Sequence, residues 1–597
     1  MWEKLRSAAG AFTRARIRRE AHRFLASTGD CRGAQRRTLE RLLALNGDSR
    51  FSRKHGLDRV RTVADFRSAL PVADYEAFRP YVDDLKLGDE RALLGSANPL
   101  LMFSLTSGTT GDSKFIPITK QFLADYRRGW QVWGIQCFDA HHPVNWKNVV
   151  QISSDYDRFR TPGGTPCGNI SGLVSAMQKR IVRLMYTVPG VVAKIGDPFG
   201  KYYATLRLAL ADSNVGMITT ANPSTLLQLA RIADAEKETL IRDIANGTLS
   251  DRFPIERTVR ERLRWSTRWP RKQRARELER IVETTGHLHP RDYWPGAEVL
   301  AVWCGGSCGN YLPGLREMYG DVAVRDHGLH ASEGRMTIPV DDETPEGLLD
   351  VTTHFFEFIP EEEYESDRPT VLEAHELQAG RNYFILLTTS SGLYRYDIRD
   401  VVRCTRFHGT TPVLEFLHKG THMSNVTGEK IAESQIVAAI RRCGDGVPTR
   451  LREFTVAPVW SETPYYEIIV EADRVADAAE RRRVTDRLDR ALQEINCEYR
   501  EKRGTGRLGP LECRLTPPGT WARYAQARQR RVGGSSEQYK HAYLVPELNF
   551  GSRLVAEFGA ARAAAEQVGA PLPQSHLRIK SRAEEPASAA RNGRDDA

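Results

Sequence analysis

Residues 106–114, Thr-Ser-Gly-Thr-Thr-Gly-Asp-Ser-Lys, put hydroxyls, glycines and one lysine into a single stretch between two apolar runs, Leu100-Leu101-Met102-Phe103 and Phe115-Ile116-Pro117-Ile118. Short apolar runs flanking a polar, glycine-containing segment predict strand, loop, strand. The side-chain types suit a phosphate. Gly108 and Gly111 let the backbone come close, Thr106, Ser107, Thr109, Thr110 and the local amides donate to oxygens, and Lys114 adds charge. The stretch is not a Walker A loop, because it lacks the Gly-Lys-Ser/Thr ending and no helical pattern follows directly. Taken alone, it also reads as a plain polar hairpin turn.

At 597 residues the chain exceeds one simple core, so a large domain and a smaller one are expected. Val299-Leu300-Ala301-Val302-Trp303 reads as a buried strand ending at Gly305-Gly306-Ser307, and such turns carry ligands in α/β folds. Val149 to Ser153, Val371-Leu372 and Tyr383 to Thr388 read as further strands. Thr161-Pro162-Gly163-Gly164-Thr165-Pro166 reads as loop. Residues 39–81 read as helical, punctuated by Pro71 and Pro80, and residues 252–291 as arginine-rich surface helices. Beyond a boundary near residues 418–421, a strand at Tyr465 to Val470, a helix carrying Val484, Leu488, Leu492 and Ile495, and a strand at Leu511 to Leu515 give a β–α–β order. The resulting fold class is α/β. Residues 571–597 have almost no large apolar side chains and are expected to be disordered.

No apolar run reaches the length of a membrane span. The basic segment at residues 1–37 lacks a long apolar core and a cleavage site, so it reads as a surface helix rather than a secretory signal, with an organellar presequence the alternative. Nine scattered cysteines fit reduced thiols in the cytoplasm better than a disulfide frame. Cys304 and Cys308 stand close, but without a second pair or histidines nearby they do not make a zinc site. The net charge of +10 reads as solvated arginines or as attraction for anionic substrates. No nucleic-acid-binding motif accompanies it.

Three stretches in register carry a family likeness. The 106–114 loop resembles the phosphate-binding motif of adenylate-forming enzymes. His330-Ala331-Ser332-Glu333-Gly334 resembles their second motif, and Gly392-Leu393-Tyr394-Arg395-Tyr396-Asp397-Ile398-Arg399-Asp400-Val401-Val402 the third. The Tyr394-Arg395-Tyr396 wording, with Gly519-Thr520-Trp521 and Gly534-Ser535-Ser536-Glu537-Gln538-Tyr539-Lys540, is similar to one branch of this firefly luciferase-like superfamily, the Gretchen Hagen 3 (auxin-responsive promoter) family of acyl-acid amido synthetases. The likeness runs from about Phe51 to Val545.

The resemblance implies a large adenylate-forming domain of β-sheets flanked by helices over residues 1–417, a hinge at 418–424 and a small mobile α/β lid over 425–560. It implies ATP and Mg²⁺. Thr106, Ser107, Gly108, Thr109, Thr110 and Ser332 would hold phosphates, Glu333 the metal, Asp400 the ribose hydroxyls, and Gly305 and Gly306 the adenine. Lys540, with Lys430 as a second lysine, would neutralise the α-phosphate and attacking carboxylate, so Lys540, Glu333 and Ser107 form the expected catalytic set. Trp130, Trp133, Thr161, Gly163 and Gly164 would line the acyl pocket. Two departures stand out. Leu329 and His330 occupy the place of the usual aromatic before the glutamate, and Arg399 replaces the usual glycine before the aspartate. Taken alone, Glu333 also reads as a surface glutamate, Asp400 as a partner of Arg399 or Arg403, and either lysine as a solvated charge.

The implied activity joins a small carboxylic acid to an amino acid or other amine through an acyl-adenylate, with a monomeric enzyme and no nucleic-acid or membrane partner. A ligase passing the acyl group to coenzyme A or a carrier-protein thiol shares the first half-reaction. A non-catalytic nucleotide-binding protein is the other alternative.

Overall fold

The apolar flanks and the two ends of the polar stretch form an antiparallel strand pair, β1 (Leu100–Ser107) and β2 (Ser113–Thr119). Thr106 stands opposite Lys114 and Ser107 opposite Ser113. The computed structural model describes residues 2–559 apart from 108–112, 179, 421–422, 425, 427–428, 430, 444–452, 462, 476, 505–507 and 533–540. Gly108, Thr109, Thr110, Lys430, Lys540 and the predicted tail therefore lie outside the described residues.

Three short strands follow, β3 (Asn148–Gln151), β4 (Phe159–Arg160) and β5 (Pro166–Gly168). β5 joins β1 in parallel, with Cys167 opposite Phe103 and Gly168 opposite Ser104, and β4 pairs on its other side. The sequence reads Pro166 as loop. It instead opens a strand, the one strand position where a missing N–H removes no ladder bond.

β3 leads a four-stranded parallel sheet with β6 (Val215–Thr219), β7 (Val299–Val302) and β8 (Ala323–Asp326), in that order. Side chains alternate across a strand, and here both faces are buried. Leu300 and Val302 pack with Leu226, Leu240 and Leu278 from helices on one face. Val299 and Ala301 pack with Trp133 and Ile135 on the other. That two-sided burial is why the strand reads as one unbroken apolar run.

The third sheet is antiparallel at each pairing. It contains β9 (Thr337–Ile338), β10 (Gly347–Leu349), β11 (Phe355–Pro360), β12 (Leu372–Glu373), β13 (Asn382–Thr388), β14 (Tyr396–His408) and β15 (Thr411–Lys419), in the order β12-β11-β13-β14-β15-β10-β9. Helices Cys31–Leu45 and Tyr75–Leu87 cover it through Leu39, Leu42, Phe78, Val82 and Leu85. Pro80 does not end the second of these helices, because the buried face of Tyr75, Phe78, Val82 and Leu85 outweighs its lost backbone bond. Residues 418 and 419, expected at a hinge, are the last of β15 and pair with Val401 and Asp400.

Beyond them lie a short pair, β16 (Met423–Ser424) and β17 (Ile431–Ala432), and a sheet of β18 (Phe454–Val459), β19 (Tyr465–Glu471) and β20 (Glu512–Thr516). β19 and β20 are parallel, with helices Ala478–Ile495 and Cys497–Gly504 between them in the chain. Val484, Leu488 and Leu492 are buried against Val456, Ile468 and Val470. The β–α–β order read from the sequence is present, and residues to Gly559 form one compact unit.

Candidate active site

The C-terminal ends of β7 and β8 open onto two turns, 303–306 and 327–330, the place where open parallel sheets hold ligands. Asp326, the last residue of β8, ties them together. Its carboxylate accepts the backbone N–H of Cys304 and, at 2.5 Å, that of Gly328. Burial pushes this carboxyl up to about 6, while backbone donors including Cys304, Gly328 and Gly305 pull the other way. Gly306 has φ +55, and a Cβ there would lie 2.7 Å from the Leu417 carbonyl oxygen. The turn therefore needs glycine both for its conformation and for its approach to β15.

After the second turn the chain doubles back. His330 bridges Arg335 antiparallel, and Ala331 N–H donates to the Gly334 carbonyl at 2.8 Å. Ser332 and Glu333 form the tip of this hairpin. Ser104 of β1 contacts Ser332 hydroxyl to hydroxyl at 2.8 Å, which joins the first motif's strand to the second motif.

The third motif reaches the same place from β14. Burial first, and the Glu333 carboxylate second, push the Tyr396 phenol well above its ordinary value. Tyr396 Oη is buried without a hydrogen-bond partner. Asp397 accepts the Arg399 N–H at 2.7 Å and the Tyr364 hydroxyl at 2.5 Å. Glu333, Asp397 and Asp400 are all buried. Arg399 does occupy glycine's conformation, with φ +58, at a bulge between the Asp397–Leu386 and Asp400–Ile385 pairs.

Tyr394 and Arg395, the wording that singles out the family branch, face the interior. Tyr394 stacks on Phe51 at 5.4 Å, and the Arg395 guanidinium pairs with Glu357 at 2.9 and 3.3 Å. Their work is to anchor the start of β14. Lys114, on β2, holds its ammonium 5.6 Å from the Tyr75 ring centre.

The predicted tryptophans join an aromatic cluster on helix Lys120–Ala140. Trp130 lies 5.4 Å from Trp133, 4.9 Å from His327 and 5.4 Å from His330, and His330 lies 4.9 Å from Trp303. His330 thus supplies an aromatic ring beside the turn after β7, although no ring stands at Leu329. Trp133 is buried and donates Nε1–H to the Asp326 carbonyl at 2.8 Å. Gly163 and Gly164 are exposed, and Gly163 N–H donates to Lys86 at the end of helix Tyr75–Leu87. Thr161 closes its own turn, donating its N–H to the Thr165 carbonyl at 3.0 Å.

Sequence reasoning missed Asp326, Tyr396 and Arg335 as site residues. Arg335 is fully buried, with its guanidinium 4.3 Å from the Trp130 ring centre and one N–H donated to the His327 carbonyl at 2.6 Å. Its Nε and Nη1 have no hydrogen-bond partner. Burial pulls it down to about 10. A Cβ at Gly129 would sit 2.5 Å from Arg335 Cδ, so the missing side chain on the helix makes Arg335's channel. Only the placement of Arg335 two residues past Glu333 hinted at this.

Buried carboxylates on converging segments, a buried phenol without a partner and a guanidinium with free N–H groups suit an anionic ligand carrying hydroxyls and a divalent ion. Comparisons with known proteins identify the family. The GH3 family N-terminal domain matches residues 20–324, the GH3 family central domain 347–419 and the GH3 family C-terminal domain 434–549. Indole-3-acetic acid-amido synthetase GH3.10 of Arabidopsis thaliana is 25% identical over 512 residues, covering 79% of this chain and 84% of the relative. Jasmonoyl–L-amino acid synthetase JAR6 of Nicotiana attenuata is 24% identical over 504 residues, covering 80% and 84%. A solved structure of GH3.15 acyl acid amido synthetase superposes with a TM-score of 0.77 at 19% identity, covering 89% of this chain and 95% of that one. The chain belongs to the GH3 family.

Proposed function

We propose that this protein is an ATP-dependent acyl-acid amido synthetase. A carboxylate oxygen attacks the α-phosphorus of ATP, the bond to the β-phosphate oxygen breaks and pyrophosphate leaves. An amine nitrogen then attacks the acyl carbon, loses a proton, and AMP leaves with the carboxyl oxygen that had bridged to phosphorus. The Ser104–Ser332 contact carries this reading, since it brings the strand leading into the first motif against the second, and the Glu333 charge acting on Tyr396 supports a link from the second to the third.

Catalysis here is mainly positioning and charge neutralisation. Thr106, Ser107 and the loop 108–110 hold the β- and γ-phosphates, with Ser332 beside them. Asp400 accepts from the ribose hydroxyls. Gly305, Gly306, Trp303 and His330 border the adenine. Glu333 would be the hard oxygen ligand for Mg²⁺, which when bound would supply charge neutralisation to the phosphates. Lys540 and Lys430, which lie outside the described residues, would bring the remaining positive charge. Trp130, Trp133 and Arg335 border the acyl acid, with Thr161, Gly163 and Gly164 further out. The family's named relatives support an amine acceptor such as an amino acid. No described helix is long and apolar enough to cross a membrane, and the cysteines described are free thiols. We propose a cytoplasmic, monomeric enzyme, with the free thiols among the described cysteines supporting the location.

The test is pyrophosphate release across a panel of aryl, indolyl and alkyl carboxylic acids, followed by acceptor trapping with amino acids or coenzyme A. Acid-dependent release with amide formation is expected. Turnover by thiol alone would make it a thiol ligase, and silence with every acid would reduce it to a nucleotide-binding protein.

A further inference from the structure

Helix Lys272–Thr285 ends at Gly286, whose φ of +78 turns the chain toward β7. The next six residues are His-Leu-His-Pro-Arg-Asp. This loop enters β7 at its N-terminal end, whereas the candidate active site lies at the C-terminal ends of β7 and β8. Leu288 is fully buried, and its N–H donates to Asp234 at 2.8 Å. Residues two apart on an extended segment point the same way, so burial of Leu288 sends His287 and His289 together to the other side. Pro290 then starts a one-turn helix, and Asp292 N–H donates to the His289 carbonyl at 3.0 Å. That turn brings the Asp292 carboxylate back to the imidazoles.

One nitrogen from each histidine and one Asp292 oxygen lie within 4.8 Å of one another. His287 Nδ1 is 3.4 Å from Asp292 Oδ2, and the two rings stack with centres 3.8 Å apart. His287 Nδ1, His289 Nδ1 and Asp292 Oδ2 are each buried without a hydrogen-bond partner. Three such atoms in one place are costly, because each has lost its water without gaining a partner. One cation satisfies all three. We propose that His287, His289 and Asp292 bind a single divalent transition-metal ion of the zinc type, pinning this loop to the helix that follows it.

Two imidazole nitrogens and one carboxylate oxygen are a borderline donor set that suits Zn²⁺, with water completing the shell. Cu²⁺ and Ni²⁺ compete at such sites by the general affinity order. Coordination turns one ring about its Cβ–Cγ bond, because stacked rings aim their lone pairs in parallel. The partly exposed His287 side chain has room for that turn. The Asp234 carboxylate, which accepts the Leu288 N–H and pairs with Lys237 at 3.2 Å, fixes the loop from the other side.

The experiment uses the whole protein, stripped with a chelator and dialysed, then titrated with Zn²⁺ or Co²⁺. One equivalent should bind, raise Tm, and give a Co²⁺ spectrum without a thiolate charge-transfer band. His289→Asn and Asp292→Asn should each weaken binding by at least the roughly 10–100-fold that loss of an outer-shell partner costs. His287→Gln, at a partly exposed ligand, serves if either fails to fold. Pyrophosphate release in Mg²⁺ buffer should not respond to Zn²⁺. Equal stoichiometry and equal Tm shifts in wild type and variants, a thiolate band, or no binding at micromolar metal would each overturn the assignment.

Discussion

Arg395 and Glu357 form a buried ion pair, with side chains only 5% and 1% exposed. Removing one partner of such a pair costs about 3–5 kcal/mol, because a charge is left in the interior. The two directions are not equivalent. Glu357 also accepts from Arg67 at 2.8 Å, so Arg395→Ala leaves it one cation. Glu357→Ala strands two guanidiniums, and Arg395 keeps only backbone partners such as the Leu70 carbonyl at 2.6 Å. The expected order is Glu357→Ala worse than Arg395→Ala. The unfolding entropy of a unit of roughly 560 residues is about 1.2 kcal/mol per kelvin, so these losses should lower Tm by about 2–4 °C in a calorimetric scan. The double alanine variant should lose less than the sum, by about 1–3 kcal/mol. Arg395→Met with Glu357→Leu, which removes both charges and keeps volume, should be near wild type. A Tm drop under 1 °C for both single variants, the reverse order, or strict additivity would refute the reasoning.

Tyr396→Phe removes a hydroxyl without a partner, so stability should hold or rise by up to about 1 kcal/mol while the KM for ATP increases; a fall in Tm without any KM change would contradict a ligand-facing role. Gly129→Ala should destabilise by about 1–3 kcal/mol through overpacking on Arg335, and Arg335→Ala should rescue it in thermal melts. Arg399→Gly should leave Tm unchanged or higher, since left-handed backbone costs a non-glycine residue about 1–2 kcal/mol and its 3.7 Å contact with Asp74 is exposed and weak; Arg399→Val should lower it. Burial holds His354 down to about 4 and His327 well below 6.5, so the folded state binds fewer protons and stability should fall as pH drops from about 6.5 to 4. Asp326, raised to about 6, acts oppositely over the same window, so Asp326→Asn should steepen that acid loss in melts taken from pH 7 to 4.

What the sequence made legible follows from locality. β1 and β2 announce themselves because apolar runs and a polar turn are neighbours in the chain, and β7 because four buried residues run together. Arg399's unusual backbone was legible as well, since a glycine-demanding turn carried an arginine. Residues whose role depends on distant contacts gave no such sign. Asp326 looks like any strand-end aspartate until its carboxylate meets the N–H groups of two turns. Arg335 needs Gly129, about 200 residues earlier, to lie flat across a helix. Tyr394 and Arg395 show the converse. Their wording marks the family, yet their side chains serve the core through Phe51 and Glu357, so a specific motif need not consist of ligand-touching residues.

The bulge on β14 explains why the third motif tolerates that arrangement. Tyr396 pairs with Leu387, Asp397 with Leu386, and the next pair is Asp400 with Ile385. Three steps on β14 are matched by one on β13. In a regular strand Tyr396 and Asp400 would be four residues apart, about 13 Å at the usual rise of roughly 3.3 Å per residue. In the bulged ladder they occupy positions two steps apart, about 7 Å along the sheet and on the same face. Asp397 locks the extra residues by accepting the Arg399 N–H, an Asx-type turn inside a sheet. The left-handed residue at 399 sits inside the bulge that brings Asp400 within two ladder positions of Tyr396. A glycine would adopt that backbone without a side-chain penalty, and Asp397 holds the turn around Arg399.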